Sequence, residues 1–203
     1  WIDKYLNNDR YNKEAGDSKM DIYSDGIVLE NSEVIIVAVK SHGEAGGIDM
    51  ASFAYVFNKK GELKSNHLYE SHSGDLGSSS KRDCVFKSDS LFIFKYVEKE
   101  SGYNDTIQYL DVGLLYSEFN DYKFKDVSFK KINTDRNFYQ ASADFLTEYD
   151  LKNLTNFELA AMRNEIFAAY GYKFKTDKWK EYFSKQEWYK PKYDDVVDKL
   201  TII

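Results

Sequence analysis

Short runs of apolar residues separated by polar clusters fill the first two-thirds of the chain. Val34-Ile35-Ile36-Val37-Ala38-Val39 and Leu91-Phe92-Ile93-Phe94 read as strands buried on both faces or nearly so. Phe53 to Phe57 is another strand. It ends at Asn58-Lys59-Lys60-Gly61, a hairpin turn with glycine where a positive φ is needed. Leu114-Leu115-Tyr116 ends similarly at Glu118-Phe119-Asn120-Asp121. Phe124, Val127 and Phe129 among lysines suggest a half-exposed edge strand.

These strands repeat. Leu29 to Val37 aligns with Phe86 to Phe94 at an offset of 57, and Phe53 to Asn58 with Val112 to Ser117 at 59. Each unit amounts to about four antiparallel strands, and two such units cannot close a propeller. The expectation is an all-β N-terminal domain over residues 1–145. It has about eight antiparallel strands in a sandwich or barrel, with an internal duplication. Ser71 to Lys81, rich in Gly and Ser, is expected to be the exposed connection between units.

The periodicity then changes. Thr155-Asn156-Phe157-Glu158 has the form of a capping box. At about 3.6 residues per turn, Met162, Ile166, Phe167 and Tyr170 fall on one side of the helix that follows. Gly171 sits where that helix must end in a left-handed conformation. A second helix starts at Thr176-Asp177 and carries Trp179, Tyr182 and Phe183. Val196, Val197 and Leu200 suggest a third short one. Residues 146–203 thus read as a small helical domain, and the whole chain as α+β. The projection also places Arg163 among Leu159, Ile166 and Tyr170. There its guanidinium should be withdrawn from water and act as a structural clamp on the Trp188–Pro191 segment. Glu187, Asp194 and Asp195 are its candidate acidic partners.

The order Arg163-Asn164-Glu165-Ile166-Phe167-Ala168-Ala169-Tyr170-Gly171, then Tyr182-Phe183, then Trp188-Tyr189-Lys190-Pro191 resembles the bacterial YARHG family over about residues 150–203. The resemblance implies a small extracellular domain and brings no known chemistry. It departs from the name motif, with Phe167, Ala169 and Tyr170 at the positions of its Tyr, Arg and His. The location it implies is extracellular or periplasmic, in the cell envelope or outside. Lipid anchoring through a removed N-terminal segment belongs to the same expectation.

Composition narrows the function further. The chain has 203 residues and a net charge of −6, and 17% of it is aromatic. From Thr147 onward it holds ten basic and ten acidic residues, so the β-rich part carries the whole acidic excess. That balance argues against nucleic-acid partners. No apolar run reaches the length of a membrane span. The single cysteine, Cys84, excludes an internal disulfide and a cysteine-based zinc site. It reads as a buried, unreactive thiol in a strand. No G-x-S-x-G elbow, H-E-x-x-H, Walker loop or EF-hand loop occurs. No catalytic residue, metal site or cofactor is therefore assigned. His42, His67 and His72 are expected in or beside loops as solvated side chains. Gly74 to Ser80 is read as a flexible linker rather than a phosphate cradle.

Tyr172 to Tyr193 interleaves eight aromatics and seven lysines with three acidic residues. Rings beside cations suit sugars and anionic envelope polymers. After the helically spaced rings are assigned to a core, Trp188, Tyr189, Lys190 and Tyr193 remain as ligand-binding candidates. The expected function is a non-catalytic binding module of the cell envelope, with a cell-wall or surface glycan or another envelope protein as partner. A hydrolase of envelope glycan or peptide using Glu44, Asp49 or Asp75, and a structural spacer, are the alternatives.

Overall fold

The computed structural model describes residues 20–43, 49–75, 77–102, 106–144 and 146–200. Its contacts divide into two compact units, 1–130 and 131–203. The boundary near 145 expected from pattern alone falls inside the second unit.

The first unit is the expected set of eight antiparallel strands. They are β1 (Met20–Glu30), β2 (Val34–Gly43), β3 (Asp49–Asn58), β4 (Leu63–Asp75), β5 (Ser78–Lys87), β6 (Leu91–Ser101), β7 (Ile107–Asn120) and β8 (Lys123–Ile132). They form one sheet in sequence order, with β1 and β8 at its edges. The expected sandwich or barrel is thus a single continuous meander, and β4 is where it folds over. That strand pairs with β3 from Leu63 to His72 but with β5 only from Ser71 to Asp75. Freed from β5, the start of β4 meets the β7–β8 hairpin instead. The Ser65 hydroxyl donates to the Tyr122 carbonyl, and the His67 ring stacks on Phe124 at 4.6 Å. The fold-over encloses one core. Val34, Ile36, Ala38, Ala54, Val56 and Tyr69 from one leaf meet Phe92, Phe94 and Phe119 from the other.

The Gly/Ser-rich stretch is not a loop. Ser71 pairs with Arg82, His72 with Lys81 and Ser73 with Ser80, and Gly77 turns the hairpin at φ +94°. Backbone pairing and a Ser73–Ser80 hydroxyl contact at 3.1 Å hold strands that have almost no apolar side chains. The β7–β8 turn, by contrast, lacks a glycine. Asp121 and Tyr122 adopt φ +47° and +62°, so sequence pattern gives little warning of its type.

The repeat exists in register but not in orientation. Leu29 pairs with Ile36 and Phe86 with Ile93, and a bulge precedes each pair, between Ile27 and Leu29 and between Cys84 and Phe86. Both features recur 57 residues apart. The next hairpins give Ile36↔Val56 and Ile93↔Tyr116, an offset of 60 where sequence alignment gives 59. More telling, Ile36 faces the enclosed core while Phe92 and Phe94, rather than Ile93, do so in the second leaf. A one-residue difference reverses every side chain in a strand. Equivalent positions therefore serve opposite faces, and an internal twofold axis is not realised.

The second unit holds α1 (Glu148–Leu151), α2 (Asn156–Ala169) and α3 (Asp177–Ser184). The capping box at Thr155 and Glu158 is formed in both directions. A second one, at Thr147 and Asp150, opens α1. At the end of α2 the Tyr172 amide donates to the Phe167 carbonyl and the Gly171 amide to that of Ala168. With Gly171 at φ +79°, this is a Schellman stop. The third helix is only a 3₁₀ turn, Val197–Lys199. Ala168, Phe174 and Phe183 form the centre of this unit, with Trp179, Tyr182, Trp188 and Tyr189 packed around them.

Candidate functional site

The buried face of α2 is Ala161, Asn164, Glu165 and Ala168, a helical stripe of small and polar residues. The apolar Leu159, Ile166 and Phe167 flank it half-buried. Projection from the apolar residues therefore centred the buried side on the wrong residue. Arg163 is exposed and makes no ion pair or hydrogen bond among the described residues. The clamp exists, but its arginine is Arg136, ahead of the helices.

Arg136 and Glu165 have side chains only 2% and 0% exposed, with Nε 3.6 Å from Oε2. The same oxygen accepts the Phe138 amide at 2.9 Å. Arg136 Nη1 donates to the Ser142 hydroxyl at 2.9 Å, and its guanidinium lies 6.0 Å from the Trp188 ring. Burial pushes the Glu165 carboxyl up, while the Phe138 amide and Arg136 oppose that shift. This arrangement is structural: Arg136 and Glu165 are buried against each other and neither lines the pockets described below.

The sequence-based ligand residues serve largely as packing. Trp188 and Tyr189 are half-buried against Phe183, and the Tyr189 hydroxyl donates to the Tyr172 carbonyl at 2.7 Å. Tyr193 is bridged through its backbone to Tyr172. Lys192 and Lys199 lie 5.3 and 4.2 Å from its ring, and hydrogen bonding from Lys192 lowers the phenol's pKa. Of the four, Lys190 alone is fully exposed.

An open pocket of about 560 Å³ lies instead between α2, the start of α3 and the segment after Tyr193. Its walls include Phe167, Tyr172, Phe174 and Trp179, and its polar lining includes Arg163, Asn164, Lys175 and Thr176. Asp194 and Asp195 also line it. Asn164 is only 7% exposed, yet its amide has no hydrogen bond among the described residues. Sequence reasoning missed Asn164 because a single polar residue on a helix carries no periodic signal.

The β unit has a depression of its own, of about 420 Å³, over β6, β7 and β8. Tyr96 and Phe129 flank it at 6.4 Å in an edge-to-face pair, and Glu98, Asp111 and Asp126 add carboxylates. Phe129 rests where a Gly113 side chain would be. Glu98 and Asp111 are direct cross-strand partners, and Asp126 accepts the Ser117 hydroxyl at 2.6 Å. Beside them Arg82, 6% exposed, donates from Nη2 to His67 Nε2 at 2.9 Å. Its guanidinium lies 4.1 Å from the Phe94 ring. His67 is thus a half-buried residue within a strand, not a solvated loop histidine, and burial lowers its pKa, with Arg82 adding to the effect. Glu44 lies outside the described residues, and of Asp49 and Asp75 only the backbone is described.

Cys84 is half-buried, and its thiol donates to the Phe86 carbonyl at 3.3 Å. Burial pushes its pKa up, away from the thiolate that reacts. A thiol reagent at neutral pH should modify the native protein far more slowly than the unfolded chain. Equal rates would reopen a redox role.

Residues 135–201 match the YARHG domain family model. The match begins just before Arg136, so it includes both members of the buried ion pair and leaves the eight strands uncovered. No curated protein and no solved structure matches the chain. Among the described residues no helix is long and apolar enough to cross a membrane.

Proposed function

We propose that this protein is a non-catalytic binding module of the bacterial cell envelope or its exterior, and that its helical unit binds glycan in the pocket beside α2. The location follows from the likeness of residues 135–201 to a family of extracellular character. The binding role rests on one observation. Asn164 is nine-tenths buried with an unpartnered amide on a pocket walled by aromatic rings. A buried amide with no partner in the chain, open to a pocket, is a ready donor and acceptor for a ligand. Rings and convergent polar groups are what sugar recognition needs.

The measurement is an NMR titration of the intact, isotope-labelled chain with soluble glycan fragments released from bacterial walls. Amide shifts should concentrate on α2, Lys175–Trp179 and Asp194–Val197. No shifts, or shifts confined to other residues, would count decisively against the pocket. A second reading, hydrolysis of the same material, draws on Glu98 and Asp111 facing each other across β6 and β7. It requires that the fragments be shortened on prolonged incubation, and that Glu98→Gln stop this.

A further inference from the structure

We infer that the pocket beside α2 is a receptor for a negatively charged group, a carboxylate or a phosphate, carried on a sugar. This rests on the glycan-binding function proposed above and specifies the charge of its ligand. Three groups that favour anions line the pocket: Arg163, Lys175 and the Asn164 amide. None has a hydrogen-bond or ion-pair partner among the described residues. Most exposed lysines and arginines are simply solvated, so Arg163 and Lys175 alone would mean little.

Asn164 is different. It sits on the buried face of α2, where an amide without a bond costs stability. Its polar atoms are nevertheless not sealed from solvent, and the solvent they reach is that of the pocket. The start of α3 adds a further donor set. Thr176 is its N-cap but its side chain makes no capping bond; the Trp179 amide donates to the Thr176 carbonyl at 3.2 Å, which leaves the Asp177 and Lys178 amides uncapped. Asp177 in that turn is engaged by Lys180 at 3.1 Å.

The two acidic residues of the lining each have a partner of their own rather than pairing with Arg163 or Lys175. Asp195 accepts the Val197 amide at 2.9 Å, and Asp194 lies 3.7 Å from Lys173. Their remaining oxygens suit sugar hydroxyls. Trp179, half-buried, offers an apolar face to a ring. The site therefore combines two unpaired cations, an amide donor, a stacking wall and carboxylate acceptors.

The test uses the intact chain and two sugars that differ by one carboxylate-bearing ether, N-acetylmuramic acid and N-acetylglucosamine. The first should bind about tenfold more tightly or better, the scale of one charge-assisted hydrogen bond. Arg163→Ala should erase that preference without lowering Tm, since the side chain is exposed. Asn164→Leu should weaken binding while holding or raising Tm, because it replaces an unpartnered buried amide with an apolar side chain of similar size. Glycerol 3-phosphate serves as the phosphate arm, and competition by it for the same amides also supports the anion site. Equal affinity for both sugars, with shifts at the pocket, overturns the charged-group inference but leaves glycan binding standing. Absence of any shift at the pocket with all three probes removes both.

Discussion

Glu165→Ala should unfold most of the helical unit at temperatures where the parent chain is intact. Glu165 is fully buried and is, among the described residues, the carboxylate that pairs with Arg136, itself 4% exposed. Removing it leaves a guanidinium in a dry site with the Ser142 hydroxyl as its remaining hydrogen-bond partner. It also orphans the Phe138 amide. Breaking a buried pair from one side costs about 3–5 kcal/mol. A unit of this size has roughly 4–10 kcal/mol to lose, so the change removes a large part of its stability. The double variant Arg136→Met/Glu165→Leu should recover most of the loss, because both charges leave together. Arg163→Ala, at an exposed position, should stay within about 0.5 kcal/mol of the parent. Chemical denaturation followed by tryptophan fluorescence reports on this unit through Trp179 and Trp188. If Glu165→Ala and Arg163→Ala melt alike, the buried pair is not what holds the segment around Phe138 to α2.

The contrast between those two arginines marks where sequence reading succeeds and where it stops. Local signals were legible: the apolar runs of β2 and β6, the glycine turn at Gly61, the capping box at Thr155 and the helix stop at Gly171. Each depends on neighbours within a few residues. Arg136 was not legible because its partner lies 29 residues on, in the same unit but outside any periodic pattern. Arg163 was misplaced because α2 buries small and polar residues, so its apolar stripe does not mark its buried face. The hairpin of β4 and β5 was hidden for a related reason. Its strands are held by backbone pairing, and serine and glycine there imitate a linker. The duplicated hairpins were found, but not the reversal of face, since parity depends on bulges that no residue type announces. The binding candidates Trp188 and Tyr189 pack half-buried against Phe183, since aromatic spacing alone does not separate a platform from an interior. The pocket a few residues away depends on Asn164, whose isolation is visible only in three dimensions.

Phe94→Ala should be the most damaging single truncation in the β unit, at about 3–5 kcal/mol. Phe94 is completely buried and joins the two leaves where the sheet folds over. Its ring meets His67 at 5.6 Å and Tyr69 at 6.0 Å, both on β4. The Arg82 guanidinium sits 4.1 Å from its centroid. Truncation therefore opens a cavity and strips a buried cation of its aromatic seat, a contact worth up to about 2 kcal/mol when desolvated. Arg82→Met should cost far less, since it removes the charge instead of stranding it. The same cluster gives the unit a pH dependence. Burial and Arg82 lower the His67 pKa, while Asp126 opposes them, and Tyr96 from β6 also faces Arg82 at 5.2 Å. With a folded pKa below the unfolded value of about 6.5, the unfolded chain takes up the proton first. The His67 contribution is thus complete above about pH 6.5 and is lost as pH falls toward the folded pKa. Urea denaturation across that range, followed by hydrogen exchange in β4 and β6, should show stability declining on acidification in the parent. In Arg82→Met the decline should be smaller, because one of the two causes of the shift is gone. An unchanged slope in that variant would mean that His67 does not sense Arg82, and that the contact between them is not part of what closes the two leaves.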